Sequence, residues 1–212
     1  MAGNTDFTAT LIDNELANGR KGKVILAFAG TSVRPFAGFE MRPWTDWDAK
    51  FEASCTGGKK GALRGVISKH SNNKEDRIFQ WQCAYTRDGF SDFQDAYSHM
   101  WTDFHQDWQQ ECSNKEVITR VEAYHDNQKE DRRYIVTCGK TPQGMGLDLK
   151  PWTDWTNKFD EESKQDCGED GVLVGIKTRN SKTHWDRIWA YRCATVSISA
   201  PPQLSFQVEY SL

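Results

Sequence analysis

Glu75-Asp76-Arg77-Ile78-Phe79-Gln80-Trp81-Gln82-Cys83 decides the fold, because it returns as Glu130-Asp131-Arg132-Arg133-Tyr134-Ile135-Val136-Thr137-Cys138 and again as Trp185-Asp186-Arg187-Ile188-Trp189-Ala190-Tyr191-Arg192-Cys193. The Asp-Arg pairs stand 55 residues apart, and a cysteine follows each Asp by seven positions. Upstream runs a second signature, Trp44-Thr45-Asp46-Trp47, Trp101-Thr102-Asp103-Phe104 and Trp152-Thr153-Asp154-Trp155, with a further cysteine eleven to fifteen residues after its first Trp. All six cysteines therefore belong to a threefold repeat. A period near 55 residues exceeds most solenoid units, so three copies predict one closed domain of pseudo-threefold symmetry around a shared core.

The repeats read as β throughout. Gly38 to Trp44 and Gly146 to Trp152 alternate apolar and polar residues with Pro43 and Pro151 near the end, the pattern of an edge strand. Strands are next expected at Leu63 to Ser68, Ile118 to Ala123 and Leu173 to Thr178, each turning through a polar loop into the returning Asp-Arg strand. In that strand period two puts Arg77, Phe79, Trp81 and Cys83 on one face, as it does Arg132, Tyr134, Val136 and Cys138, and Arg187, Trp189, Tyr191 and Cys193. Outside the repeats, Asp6 to Ile12, Lys23 to Gly30 and Leu204 to Tyr210 also read as strands. The expected organisation is a 1–37 N-terminal strand hairpin packed on the main domain, a 38–195 repeat domain (38–86, 95–141, 146–195), and a 196–212 C-terminal strand.

At 212 residues the chain can bury a full core, and its 9 Trp, 11 Phe and 6 Tyr supply one. With 27 Lys+Arg against 30 Asp+Glu, net −3, no basic stripe points to nucleic acid. No apolar run is long enough for a membrane span. Met1-Ala2-Gly3-Asn4 has neither the basic start nor the apolar run of a signal peptide, which stands against the oxidising compartment that the cysteines imply.

A threefold repeat leaves two disulfide patterns that treat the units alike. One pairs Cys55 with Cys83, Cys112 with Cys138 and Cys167 with Cys193; the other joins each unit's second cysteine to the next unit's first. The pattern within units is favoured, on the reading that both members of each pair sit on strands of one unit. No Cys-x-x-Cys pair supports zinc, and neither a metal nor a cofactor is expected.

The Asp-Arg pairs admit two roles, a charged clamp on a glycan or a structural ion pair with the guanidinium on a Trp and a carboxylate such as Asp46, Asp103 or Asp154. The Trp signature likewise offers either platforms for sugar rings or, with Phe51, Trp108 and Phe159 seven positions on, a buried cluster. Specificity is expected in the hairpin loops. The candidate contacts are His70, Asn72, Glu75, Asp76 and Arg77; His125, Asn127, Glu130, Asp131 and Arg132; and Asn180, Lys182, Trp185, Asp186 and Arg187. Trp185 replaces Glu75 and Glu130, and is expected to be exposed. The middle repeat carries Met100, Arg120 and Arg133 where the others have Pro, Gly and Ile, which marks its site as altered. No hydrolase, metalloprotease or nucleotide-binding motif is present, and no cysteine is left over as a nucleophile.

An apolar strand into a Trp signature, a Cys, an aliphatic strand and Asp-Arg-x-aromatic-x-x-x-Cys, repeated three times over roughly residues 38 to 195, resembles the dermatopontin family. The resemblance implies a secreted, disulfide-bonded protein that acts in matrix adhesion or, as in invertebrate relatives, agglutinates cells by binding glycans. The expectation is a non-enzymatic multivalent lectin whose partners are glycans or glycoproteins. The alternative is an extracellular-matrix adhesion protein binding matrix proteins or sulfated glycosaminoglycans. Homo-oligomerisation is left open.

Overall fold

The computed structural model describes residues 8–10, 27–29, 34–55 and 60–198. Among these there is no helix. Two compact units divide the chain, Met1–Val33 with Ala200–Leu212, and Arg34–Ser199. In the first, β1 (Thr8–Thr10) pairs antiparallel with β2 (Ala27–Ala29), inside the two expected terminal strands. The strand expected at Leu204 to Tyr210 lies outside the described residues.

The second unit holds three four-stranded antiparallel sheets, one for each repeat. The first contains β3 (Phe36–Trp44) and the hairpin of β5 (Ala62–Ser71) and β6 (Asp76–Thr86). The second contains β7 (Gln94–Ser98), β9 (Glu116–Asp126) and β10 (Asp131–Lys140). The third contains β11 (Met145–Trp152), β13 (Gly171–Ser181) and β14 (Asp186–Ile198). The same bulge interrupts each hairpin, skipping Arg64, Thr119 and Val174.

The fourth strand of every sheet comes from another repeat. β4 (Phe51–Ser54) of the first repeat pairs with β9 of the second, Phe51 opposite Ala123. β8 (Trp108–Glu111) of the second pairs with β13 of the third, and β12 (Ser163–Asp166) of the third pairs with β5 of the first, Ser163 opposite Ser68. The exchange closes the ring. Across each junction an Arg meets an acid: Arg64 with Asp166 at 2.7 Å, Arg120 with Glu52 at 3.9 Å, and Arg192 with Glu111.

The disulfides are Cys55–Cys83, Cys112–Cys138 and Cys167–Cys193, the pattern within repeats. Their placement on strands of one unit needs correction. Each first cysteine directly follows the exchanged strand, so each bridge ties a repeat's own sheet to the neighbouring sheet that has received its strand.

Beneath the junctions lies the shared core. The alternation of the Asp-Arg strand buries Phe79, Trp81 and Cys83 at no more than 2% exposure, with Tyr134, Val136, Trp189 and Tyr191 in the same layer. Phe79, Tyr134 and Trp189, one ring from each repeat, meet edge to face at centroid distances of 5.4 to 6.2 Å. That geometry sets the positive edge of one ring against the negative face of another. Phe51 is buried and Trp108 packs partly on the same core. Phe159 does not, contrary to expectation. The third repeat has four extra residues after its Trp signature, so Ser163 occupies the place of Phe51 and Trp108, while Phe159 stacks on His184 at 4.9 Å.

Candidate functional site at the pseudo-threefold axis

The three Asp-Arg pairs form one ring of buried ion pairs between repeats. Arg132 clamps Asp76 through Nε at 2.7 Å and Nη2 at 2.6 Å, Arg187 clamps Asp131 at 3.0 and 2.7 Å, and Arg77 clamps Asp186 at 2.9 and 2.8 Å. The partner is therefore the Asp of another repeat's own pair, not Asp46, Asp103 or Asp154, which are exposed. Nor is the neighbouring ring a Trp: the guanidinium of Arg132 lies over Phe51 and that of Arg187 over Tyr134. Every guanidinium also donates to a carbonyl, that of Ala49, Gln106 or Glu161. All six charged side chains are at most 7% exposed, so desolvation makes the fork geometry and these extra bonds necessary.

Six residues with positive φ build this ring. Asp48, His105 and Asp160, at φ 55°, 59° and 67°, each turn their N–H onto one of the ring carboxylates, at 2.8, 2.6 and 2.8 Å. Glu75, Glu130 and Trp185, at φ 46°, 46° and 48°, each close a four-residue hairpin turn and deliver the following Asp. Non-glycine residues in this region carry backbone strain, and here it is concentrated around one set of charges.

The candidate contacts separate into two layers. The six Asp and Arg residues are buried in the ring, and His70 and His125, with side chains 1% exposed, are buried beside it. Nδ1 of His70 lies 3.2 Å from Asp186, and Nε2 of His125 lies 3.8 Å from Asp76. Asn180 takes the corresponding position in the third repeat and is half-buried. Asn72, Asn127 and Lys182 are exposed at the turn tips, and Trp185 is 39% exposed. Glu75, Glu130 and Trp185 rim a small depression on the axis, floored by the ring and by Tyr134 and Trp189. Its cavity is about 20 Å³, enough for a water and too small for a hexose.

Electrostatics follow from the packing. Burial would push the Asp186 carboxyl up, but hydrogen bonds and charge from His70 and Arg77 outweigh it and hold the group below the usual carboxylate range. Glu130 is shifted upward, by partial burial and by Glu75, Asp48 and Asp76, against the opposing effect of His125. Burial likewise raises the phenols of Tyr134 and Tyr191.

The Trp signature has a local role that its sequence did not disclose. Thr45 donates its N–H to the carbonyl of Phe79 and accepts the N–H of Phe79 on Oγ1; Thr102 does the same with Tyr134, and Thr153 with Tyr191. Its rings lie on the outer faces of the sheets. Trp101 and Trp155 are 36% and 38% exposed, and cations cover several of the faces: Lys69 on Trp44, Arg133 on Trp101, Lys177 on Trp152 and Arg179 on Trp155. In the middle repeat Arg133 is also within 5.9 Å of the Phe104 and Tyr124 centroids. A larger hollow of about 170 Å³ lies at the junction of the first two repeats, but its Lys60 and Arg120 are already near Asp95 and Glu52.

A family model described as Dermatopontin matches residues 45–148 and 102–202. A hemagglutinin/amebocyte aggregation factor of Limulus polyphemus is 29% identical over 154 residues, covering 69% of this chain and 83% of that protein. Dermatopontin of Mus musculus is 24% identical over 123 residues, 57% of this chain and 61% of the relative, and dermatopontin of Biomphalaria glabrata is 23% identical over 146 residues, 67% and 92%. No solved structure matches significantly. With two family matches that together span most of the chain and the repeat architecture to go with them, this protein belongs to the dermatopontin family.

Proposed function

We propose that this protein is a secreted, non-enzymatic, multivalent lectin that recognises glycans or glycoproteins through the turns of its three repeats. The observation that carries the reading is the repetition itself: three hairpin turns, each closed by a left-handed residue and braced by the ion-pair ring, present exposed Asn72, Asn127, Lys182 and Trp185. Side chains of this kind can hydrogen-bond hydroxyls or stack on a sugar face, and weak sites gain avidity when repeated on a rigid frame. In this reading the buried His, Asp and Arg residues of the candidate set position the turns, and the exposed ones touch the ligand. Three disulfides fit an oxidising compartment, and the hemagglutinin name of the Limulus relative supports an agglutinating role.

A second reading, adhesion to matrix proteins or sulfated glycosaminoglycans, is favoured by the matches to dermatopontins and by the cations on the outer sheet faces. Screening the disulfide-intact protein on a glycan array at low and high salt separates the two. Neutral-sugar binding that survives high salt, at two or three sites per chain, is the expected result, and Trp185→Ala weakens it without lowering thermal stability. Binding only to sulfated polymers that salt abolishes refutes the lectin reading in favour of the second.

A further inference from the structure

The three junctions of the ion-pair ring are not chemically equivalent, and the difference defines a site. At the junction of the first and second repeats, Asp48, Asp76 and His125 each present a ligating atom, all within 4.8 Å of one another. His125 is buried, its side chain 1% exposed, and its Nδ1 is held at 2.9 Å by Oδ1 of Asn127. An amide oxygen only accepts, so Nδ1 donates to it, and Nε2 is the ring nitrogen left to act as a ligand. Nε2 makes no hydrogen bond, and 3.8 Å away it faces Oδ1 of Asp76. The gap between Nε2 and the carboxylate is too wide for a hydrogen bond, and a cation placed in it would be ligated from both sides.

Asp76 has the capacity to share. Of its roughly four lone-pair directions, Arg132 Nε takes one on Oδ1, and Arg132 Nη2 and the Asp48 N–H take two on Oδ2. The direction left over is on Oδ1, the oxygen that His125 faces. Charge agrees: Glu75 and Glu130 join Asp48 and Asp76 in this neighbourhood, against the cations Arg132 and Lys74, an excess of two negative charges (4 − 2).

Among the described residues, only this junction brings three such ligating atoms within that distance. Where the third repeat meets the first, the equivalent Asp160, Asp186 and His70 are present, but the imidazole spans the two carboxylates, Nδ1 at 3.2 Å from Asp186 and Nε2 at 3.5 Å from Asp160; His184 holds Asp160 from the other side, and Trp185 replaces a glutamate. Where the second meets the third, His105 stands in place of Asp48 and Asn180 in place of His125.

We propose that Asp48, Asp76 and His125 bind one divalent transition-metal ion of the zinc type, with Asn127 holding the imidazole in place through its Nδ1. An imidazole with two carboxylates suits zinc, whereas calcium prefers oxygen ligands alone. Tetrahedral zinc sets its ligands roughly 3.4 Å apart, so a small inward movement of the exposed arm of Asp48 completes the site. A metal-bound histidine commonly donates its other ring N–H to an oxygen acceptor, and Oδ1 of Asn127 supplies one here.

Titration of the full disulfide-intact chain with zinc chloride by calorimetry tests this. One saturable site is expected, with a zinc-dependent rise in melting temperature. Asp48→Asn and His125→Asn each weaken it at least tenfold, Asn127→Ala weakens it about tenfold, and His70→Asn leaves it unchanged. The Asp48 side chain is 32% exposed and its backbone contact to Asp76 survives substitution, so that variant stays folded and informative. No saturable zinc binding, unchanged affinity in Asp48→Asn, or equal binding of calcium overturns the proposal.

Discussion

Replacing Arg187 with Lys keeps the charge of the ring and removes its fork. Arg187 donates to Asp131 Oδ1 at 3.0 Å and Oδ2 at 2.7 Å, and to the Gln106 carbonyl at 2.8 Å. An ammonium at the end of a flexible stem keeps one of these three bonds. The two lost comprise one to a buried carboxylate, about 1.5–3 kcal/mol, and one to a carbonyl, about 1 kcal/mol, so the expected destabilisation is about 3 kcal/mol. For a chain of this size that lowers the melting temperature by about 6–12 °C. Differential scanning calorimetry under oxidising conditions reads the shift, and Arg179→Lys is the control, because its side chain is 58% exposed and its 3.7 Å contact to Asp107 is worth less than about 1 kcal/mol. Coupling is checked with Asp131→Leu in the Arg187→Met background, which should be less damaging than either single change, since no buried charge is left alone. An Arg187→Lys variant melting within about 2 °C of the parent refutes the view that the fork supports the ring.

The remaining predictions use other parts of the frame. Thr102→Val removes the hydroxyl that accepts the Tyr134 N–H at 2.8 Å and leaves a buried donor unpaired, so stability falls by about 1–3 kcal/mol and that amide exchanges faster with deuterium. The folded pKa of Asp186 lies below its unfolded value, so its contribution is complete above about pH 4 and is lost as pH falls through the folded value. Asp186→Asn is accordingly less stable than the parent at pH 7, and a gap in urea midpoint that fails to narrow below pH 4 contradicts this. Removing Cys112 and Cys138 together opens a loop of 26 residues and costs about 3.5 kcal/mol by chain entropy, read as a lower denaturant midpoint.

The sequence exposed what repeats locally. Period two in the Asp-Arg strands located the core face of every sheet, because burial in a pleated strand follows alternation residue by residue. The exchanged strands are not legible in the sequence, although Phe51-Glu52-Ala53-Ser54 alternates, since a four-residue run carries little signal and its partner at Ser54↔Arg120 is 66 residues away. The ion-pair partners are hidden for a related reason: local spacing points each Arg to a carboxylate of its own repeat, whereas Arg132 reaches back 56 residues to Asp76. Spacing did hold a clue to the third repeat: its first cysteine follows the Trp signature by fifteen residues instead of eleven, the four-residue insertion that moves Phe159 off the core.

The exchanged strands also dictate the order in which the molecule can be completed. β5 is made early, yet the strand that covers its free edge, Ser163–Asp166, follows about 100 residues later. During synthesis the first sheet therefore waits with bare backbone donors and acceptors while the second and third are still being added, and contacts of such sequence separation form slowly. Arg77 waits too, because Asp186 arrives only with the last hairpin. A chain truncated after its second repeat would thus keep an open edge along the first sheet and an Arg77 without its carboxylate.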